Sequence, residues 1–239
     1  MKRIILLIIR LLPRIPGYLL KIRYYNKHIH ETSFEERFDY VRNIILKINS
    51  KSRVTIHCYG KENLPNEQGY LMTPNHQGLF DALIILDTHE IPFKAVLKQE
   101  LLKVPVLKNL ITMIQYSAID RNNLRTSMKV IKNASKEMNE GRSYLIFPEG
   151  TRCRKQNEML EFKGGSFKAA IDAKSPIVPV ALIDCYKVFD DNSIAKVDAQ
   201  IHYLEPLYYE DYKEMSSTEI AQFVQDKIRK CIEKNENRF

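Results

Sequence analysis

The segment Asn-His-Gln-Gly-Leu-Phe-Asp (75–81) contains a histidine and an aspartate five positions apart. It follows a short apolar run and leads into the apolar stretch Ala82–Leu86, which favours a helix. One helical turn would let the carboxylate of Asp81 accept a hydrogen bond from Nδ1–H of His76 and leave Nε2 free as a base. These are two members of a serine–histidine–aspartate triad, but no serine stands in a Gly-x-Ser-x-Gly pattern. The hydroxyl could therefore be the substrate's own; the alternative is a capping aspartate beside a surface histidine.

A second polar segment, Phe-Pro-Glu-Gly-Thr-Arg (147–152), directly follows the strand-like run Ser143–Phe147. In open α/β sheets, ligands bind beyond the carboxyl ends of the strands, which is where this segment would lie. Arg152 offers a planar fork that suits a phosphate, and Arg154 is close by. The alternative is a solvated turn in which Glu149 and Arg152 form an exposed ion pair.

The elements that must position these segments alternate between strand-like and helical patterns. The strand-like runs are 54–58, 70–72, 93–97, 117–119, 143–147, 177–183 and 200–204. Helical patterns cover 34–49, with Ser33 and Glu36 as a capping box, about 124–138, closed by Gly141, and about 217–234. We therefore expect an α/β fold with a mixed, mostly parallel sheet flanked by helices. A helical N-terminal element over 1–50 would precede the main domain over 51–239.

Composition limits the class of protein. The chain has 239 residues, 44% hydrophobic and 28% charged, which is typical of a globular protein with a core of its own. The four cysteines, Cys58, Cys153, Cys185 and Cys231, are far apart and form no Cys-x-x-Cys pair. This spacing argues against a disulfide scaffold and a structural zinc site, and it fits a reducing compartment.

The net charge of +8 is concentrated at the N-terminus. Residues 1–30 contain seven basic residues and no acidic residue, which leaves 30 basic against 29 acidic residues over 31–239. A groove for nucleic acid would spread its cations over the folded body, so we expect no nucleic-acid partner.

The same N-terminal arm, residues 1–30, is apolar as well as basic. Its unbroken apolar run, Ile4–Ile9, is far shorter than the roughly 20 residues that cross a bilayer. The run is also shorter than the apolar region of a signal peptide, and no small-x-small cleavage site follows it. We expect the arm to be an amphipathic segment that binds anionic lipid head groups and inserts apolar side chains. The alternative is a helix packed on the protein's own core.

Together the motifs resemble the glycerolipid acyltransferase family, specifically the bacterial 1-acylglycerol-3-phosphate acyltransferases. Segments 75–81 and 147–152 resemble the family's first and third motifs. Between them, Lys98-x-Glu100-Leu101 with Pro105 and Ile119-Asp120-Arg121 looks like the second, and 162–165 with 177–180 looks like the fourth. Two positions depart from the pattern: Lys108 stands where glycine is frequent, which bears on the acceptor pocket, and Cys153 replaces the usual serine.

The resemblance implies a reaction and a set of roles. His76, oriented by Asp81, would take the proton from the free hydroxyl of lysophosphatidic acid, whose oxygen attacks an acyl-carrier-protein or coenzyme A thioester without an acyl-enzyme. Arg152 would hold the acceptor phosphate. The other implied substrate-binding residues are Asn75, Lys98, Glu149, Gly150, Thr151, Arg154 and Lys163, with main-chain N–H groups near Gly150 as oxyanion donors.

The resemblance also implies no cofactor, no metal, and a peripheral or monotopic location on the cytoplasmic face of the cell membrane. The apolar stretch 101–114 could line an acyl channel, although a core helix is the simpler interpretation. Two other functions stay open on the sequence alone. One is acyl transfer to glycerol 3-phosphate or another lysolipid, and the other is a non-catalytic lipid-binding protein, which would have no use for His76 beside Asp81.

Overall fold

A computed structural model describes residues 2–67, 69–120 and 123–239. These residues form a seven-stranded sheet in the order β1-β7-β6-β2-β5-β3-β4. The strands are β1 (Val54–Tyr59), β2 (Leu71–Pro74), β3 (Phe93–Lys98), β4 (Ser117–Ile119), β5 (Ser143–Leu145), β6 (Ile177–Ile183) and β7 (Val197–Tyr203). Neighbouring strands are parallel except β6 and β7, which are antiparallel. The predicted α/β fold with a mixed, mostly parallel sheet is confirmed.

Helices cover both faces of the sheet. They are α1 (Lys2–Leu11), α2 (Ile15–Lys27), α3 (Phe34–Lys51), α4 (Asp81–Thr88), α5 (Pro105–Met113), α6 (Leu124–Asn139), α7 (Lys168–Ala173), α8 (Tyr186–Phe189), α9 (Tyr209–Tyr212) and α10 (Ser217–Asn235). One core contains side chains of α2, α3 and α4, and a second core contains side chains of α6, α7 and α10. The fully buried β6 contributes to both cores, as expected for a strand covered on both faces.

The helix boundaries agree with the signals in the sequence. Ser33 accepts a hydrogen bond from the N–H of Glu36 and starts α3, which runs two residues beyond the predicted end. Ser216 and Glu219 form a complete capping box at the start of α10. Gly141, just after α6, has φ +88°, a conformation that glycine adopts without strain. Because α3 packs into the same core as β2 and β6, the predicted division at residue 50 does not separate two cores.

The N-terminal arm forms α1 and α2. Leu7 and Leu11 of α1 and Ile22 of α2 are buried, so one face packs on the protein as the alternative interpretation expected. The opposite face of α1 exposes other apolar side chains, among them Ile9, which is 64% exposed. The structure therefore places both core-packing and exposed apolar residues in the arm.

One cation of the arm, Arg3, faces the interior of the protein rather than solvent. Its side chain is fully buried, and burial together with the nearby Arg53 lowers the pKa of its guanidinium. The guanidinium donates to the main-chain oxygens of Val188, Ser52 and Ala195 at 2.7, 2.6 and 2.7 Å. Arg3 is thus an internal link between α1, the end of α3 and the β6–β7 connection. Among the residues that the structure describes, no helix has both the length and the apolar composition needed to span a bilayer.

Candidate active site

The carboxyl ends of β2, β5 and β6 lie side by side, and the loops that leave them form a rim (residues 75–80, 146–163 and 184–190). The His76–Asp81 pair predicted from the sequence lies at this rim. Asp81, the first residue of α4, accepts a hydrogen bond from Nδ1 of His76 at 2.7 Å through its fully buried Oδ2. The same oxygen accepts the main-chain N–H groups of Gln77 and Gly78 at 2.6 and 3.0 Å. His76 retains 22% side-chain exposure, and its Nε2 has no partner within the described residues. The site therefore holds an oriented imidazole with one free, accessible nitrogen.

The register of two parallel strands joins the two sequence motifs. Met72 of β2 pairs with Leu145 of β5, an offset of 73 residues that also relates His76 to Glu149. Beyond the last strand pair, the N–H of His76 donates to Oε1 of Glu149 at 2.7 Å. The imidazole also stacks on the ring of Phe147 at a centroid distance of 4.1 Å. The two segments, separate in the sequence, thus form one structure.

Glu149 is buried and supports the rim from inside. Its second carboxylate oxygen accepts the N–H of Leu160 at 3.0 Å. Burial raises the pKa of Glu149 to about 7, while the N–H groups of His76 and Leu160 act to lower it. The alternative ion pair with Arg152 is absent from the described structure, because both Glu149 oxygens accept main-chain hydrogen bonds. Glu149 shapes the site without facing substrate.

Asn75 requires a correction. The sequence places it among the substrate-binding residues, but its side chain is fully buried. Its amide nitrogen donates to the oxygen of Leu182 at 3.0 Å, and its amide oxygen accepts the N–H of Leu182 at 2.7 Å. Because the side chain is buried and both ends of its amide are engaged, Asn75 fastens the end of β2 to β6 and exposes no atom to a ligand.

Arg152 reaches the surface beside the histidine loop. The N–H of Cys153, its chain neighbour, donates to the oxygen of His76 at 2.8 Å. Nη1 of Arg152 lies 3.6 Å from Oδ1 of Asp190, and the arginine side chain is 30% exposed. Arg152 thus lies on the rim, at the end of the sheet where the sequence analysis placed its segment.

Lys163 and Gly150 meet at the same rim. Gly150 has φ +73°, and a Cβ at that position would lie 3.1 Å from Nζ of Lys163. The ammonium group therefore lies directly above the Gly150 backbone. The N–H of Gly150 donates to the oxygen of Phe147 at 3.1 Å, so this N–H is not a free oxyanion donor. The expectation of oxyanion donors near Gly150 therefore stays a prediction for N–H groups other than that of Gly150.

The remaining candidates lie further from His76 or at the open surface. Lys98 ends β3, two strands away from β2, and pairs with Glu100 at 2.9 Å. Thr151 and Arg154 are exposed beside Arg152, and Lys108 is exposed on α5. Arg121 of the second block lies outside the described residues. In the stretch 101–114, Ile111 and Met113 are buried whereas Val106 and Leu107 are exposed, so α5 is a core helix on one side only.

Sequence reasoning missed the polar residues that fasten the rim to the β6–β7 connection. Oε1 of Gln77 accepts the N–H of Cys185 at 3.0 Å, and its Nε2 donates to Oδ1 of Asn157 at 2.8 Å. Asn157 in turn exchanges hydrogen bonds with Asp184. The residues that these contacts join are 27 to 108 positions apart in the sequence, so no local sequence pattern predicts the contacts. The position of Gln77 directly after His76 was the one available signal.

The geometry and the order of the motifs agree with one family. A family model described as Acyltransferase matches residues 55–183, more than half of the chain. The chain belongs to the acyltransferase family. It is 31% identical over 185 residues to a 1-acyl-sn-glycerol-3-phosphate acyltransferase of Borreliella burgdorferi, covering 75% of this chain and 72% of the relative. It is 28% identical over 167 residues to the protein of the same name from Salmonella typhimurium, covering 70% of this chain and 68% of the relative.

A solved structure supports the architecture of this acyltransferase. The crystal structure of the 1-acyl-sn-glycerophosphate (LPA) acyltransferase PlsC from Thermotoga maritima superposes with a TM-score of 0.72. The match covers 92% of this chain and 97% of that chain at 20% sequence identity. At that identity the likeness shows a shared fold.

Proposed function

We propose that this acyltransferase moves a fatty acyl group from a thioester to the free hydroxyl of 1-acylglycerol 3-phosphate and so forms phosphatidic acid. The observation that carries the proposal is the His76–Asp81 pair, with Nε2 of His76 accessible and Arg152 beside it. The names of the relatives from Borreliella burgdorferi and Salmonella typhimurium support the choice of acceptor.

The pair performs base catalysis on the acceptor. Nε2 of His76 takes the hydroxyl proton as the acceptor oxygen attacks the thioester carbonyl, and the tetrahedral intermediate collapses to the ester. The departing thiolate receives the proton from the imidazolium. Asp81 holds the required tautomer and stabilises the imidazolium charge. A positioned base of this kind contributes about 10²–10⁴-fold to rate.

The cations at the rim bind the acceptor phosphate. Arg152 presents a guanidinium next to the catalytic histidine, and the ammonium group of Lys163 lies above Gly150. An arginine fork binds phosphate through two parallel hydrogen bonds, whereas a lysine supplies a point charge. Arg154 and Thr151, both exposed, flank this site, and Lys98 is a more distant cation.

The arm docks this acyltransferase on an anionic membrane at the cytoplasmic face. With Arg3 buried, six cations of residues 1–30 remain exposed, namely Lys2, Arg10, Arg14, Lys21, Arg23 and Lys27. The arm also exposes apolar side chains such as Ile9 and Leu20, which are 64% and 70% exposed. Each engaged cation contributes about 1 kcal/mol near an anionic surface, and apolar insertion adds a component that salt does not screen.

The acyl donor is a thioester of acyl carrier protein or of coenzyme A, both of which are anionic. Helix α6 presents an exposed row of cations at helical spacing, Arg125, Lys129 and Lys132, on the side of the sheet opposite to α1–α3. None of the three pairs with a carboxylate in the part of the chain that the structure describes. This row suits an anionic donor that approaches separately from the membrane.

The proposal is tested with the purified full chain and mass analysis of its lipid products. The acceptors are 1-acylglycerol 3-phosphate, glycerol 3-phosphate and 1-acylglycerol, each assayed with both thioesters. Phosphatidic acid formed from the first acceptor, with much lower turnover on the other two, supports the proposal. Equal turnover on 1-acylglycerol would show that the enzyme does not recognise the acceptor phosphate. A preference for glycerol 3-phosphate would show that glycerol 3-phosphate is the acceptor.

A further inference from the structure

The connection between β6 and β7, residues 184–196, borders the catalytic rim at close range. A Cβ on Gly78 would lie 2.6 Å from Oδ2 of Asp190 and 3.2 Å from Cα of Tyr186. The ring of Phe189 also packs edge-on against Phe80 at 5.6 Å. The absence of a side chain at position 78 is thus what allows Asp190 to lie against the turn that follows His76.

The same connection is fastened at both ends. Near β6, the N–H of Cys185 donates to Gln77 at 3.0 Å. Further along, the oxygens of Val188 and Ala195 accept hydrogen bonds from the buried guanidinium of Arg3. Asp190 lies between the attachments at Val188 and Ala195, so the fold holds its main chain against the rim.

The orientation of Arg152 follows from this carboxylate. Asp190 faces Nη1 of Arg152 at 3.6 Å, while Nε and Nη2 of the same guanidinium have no partner in the described ranges of the chain. Nε–H and Nη2–H form the edge that binds a phosphate or carboxylate through two parallel hydrogen bonds. An anion at Nη1 therefore leaves the bidentate edge available and turned away from Asp190.

We propose that Asp190 is a positioning residue, which fixes the guanidinium of Arg152 so that its Nε–Nη2 edge meets the acceptor phosphate. This inference rests on the proposed function, in which Arg152 binds that phosphate. Asp190 itself touches no reacting atom. Its removal should therefore weaken acceptor binding and leave the chemical step largely unchanged.

Steady-state kinetics of Asp190→Asn, with 1-acylglycerol 3-phosphate in detergent, test the proposal. We expect acceptor KM to rise about threefold, on the scale of an exposed ion pair, with kcat within a factor of two. Asp191→Asn is the matched control because it removes the same charge one position further along and should leave KM unchanged. In an Arg152→Ala background, Asp190→Asn should have no further effect on KM.

Gly78→Ala provides a second route, because its methyl group would displace Asp190 without changing any charge. It should raise acceptor KM in the same direction as Asp190→Asn. A fall in acceptor KM for Asp190→Asn would mean that Asp190 competes with the phosphate for Arg152. Full additivity of Asp190→Asn with Arg152→Ala would mean that Asp190 does not act through Arg152. Either result overturns the proposal. Failure of the wild-type protein to use the phosphate acceptor would instead overturn the proposed function.

Discussion

The catalytic rim and the N-terminal arm are both fixed by buried polar side chains, but they present different surfaces to solvent. At the rim, Asp81 and Glu149 are buried against main-chain N–H groups, while His76 and Arg152 remain accessible. In the arm, Arg3 is buried against three main-chain oxygens.

The arm exposes apolar side chains as well as its six solvent-facing cations. Ile5, Ile8 and Ile9 of α1 are 55%, 50% and 64% exposed, and Leu20 of α2 is 70% exposed. A helix that packs only for stability would bury such residues and expose its arginine. The difference supports the proposal that the rim meets a polar reactant and that the arm meets a membrane surface.

The largest effect is expected at the rim. Asp81→Asn keeps the size of the side chain but removes the charge that stabilises the imidazolium, so kcat should fall by about 10²–10⁴-fold. Asp198→Asn is the matched control, because Asp198 contacts His57 at 2.8 Å in a second histidine–aspartate pair on β1 and β7. Turnover by Asp81→Asn at more than a tenth of the wild-type rate would contradict the account.

The anchoring of the arm gives the next effect. Arg3→Met leaves the oxygens of Val188, Ser52 and Ala195 without their donor, so the free energy of unfolding should drop by about 3 kcal/mol. Arg10→Met is the control, since Arg10 donates to the exposed oxygen of Lys51 and should cost under about 1 kcal/mol. Denaturant unfolding of both variants checks this, and equal losses would mean that Arg3 does not fasten the arm.

Acid should weaken the core beneath both regions. Burial lowers the pKa of His89 to about 4, and burial together with the nearby Arg238 lowers the pKa of His202 to about 4. Between about pH 6.5 and 4 the unfolded chain binds these protons and the folded chain does not, so stability falls as pH falls. The pKa of Glu149 is raised to about 7, so this residue stabilises the folded protein as pH falls from about 7 to 4.5. It opposes the effect of His89 and His202, but it is one group against two.

From pH 7 to pH 5, each of these histidines should cost about 2 kcal/mol of unfolding free energy. His89→Gln keeps a possible partner for the hydroxyl of Tyr70, which contacts Nε2 of His89 at 2.6 Å. This variant should lose about 2 kcal/mol less than the wild type over the same range. Thermal or denaturant unfolding at both pH values measures the difference. An unchanged pH dependence in the variant would show that His89 does not contribute to the loss of stability in acid.

The smallest effect concerns the exposed face of the arm. Ile9→Ser should weaken binding to anionic vesicles about fivefold, which corresponds to about 1 kcal/mol for a partly inserted side chain. Met128→Ser on α6 is the control, because Met128 is 68% exposed on the other side of the sheet. Equal vesicle binding by the two variants in a co-sedimentation series would show that the exposed apolar face of the arm does not contribute to membrane binding. Point variants are preferable to deleting residues 1–26, since the deletion also removes Ile22 and Tyr25 from the core.

The sequence predicts what short segments determine. His76 and Asp81 are five residues apart, so one turn of chain is enough to predict their contact. The fully buried β6 and the capped α10 follow from local pattern as well. The joining of the two motifs also depends on strand register, which one sequence does not reveal.

Long-range contacts account for the parts that sequence reasoning missed. Arg3 meets Val188 over 185 positions, and an arginine near an N-terminus suggests lipid contact rather than burial. Asn75 engages Leu182 over 107 positions, which makes a residue in the catalytic motif structural. Asp190 has no sequence pattern at all, because its relation to Arg152 exists only once the β6–β7 connection is fastened to the rim.

The central claim is that Nε2 of His76 is the base. The most direct test is the rate of His76→Ala on a short-chain acceptor that is dissolved as monomers. Such an acceptor removes the contribution of membrane docking to the rate. His57→Ala, at the other histidine–aspartate pair, is assayed in parallel, with circular dichroism to verify folding. The account predicts a loss of at least about 10²-fold for His76→Ala and less than about twofold for His57→Ala. A folded His76→Ala protein that retains more than a tenth of the wild-type rate would contradict the claim.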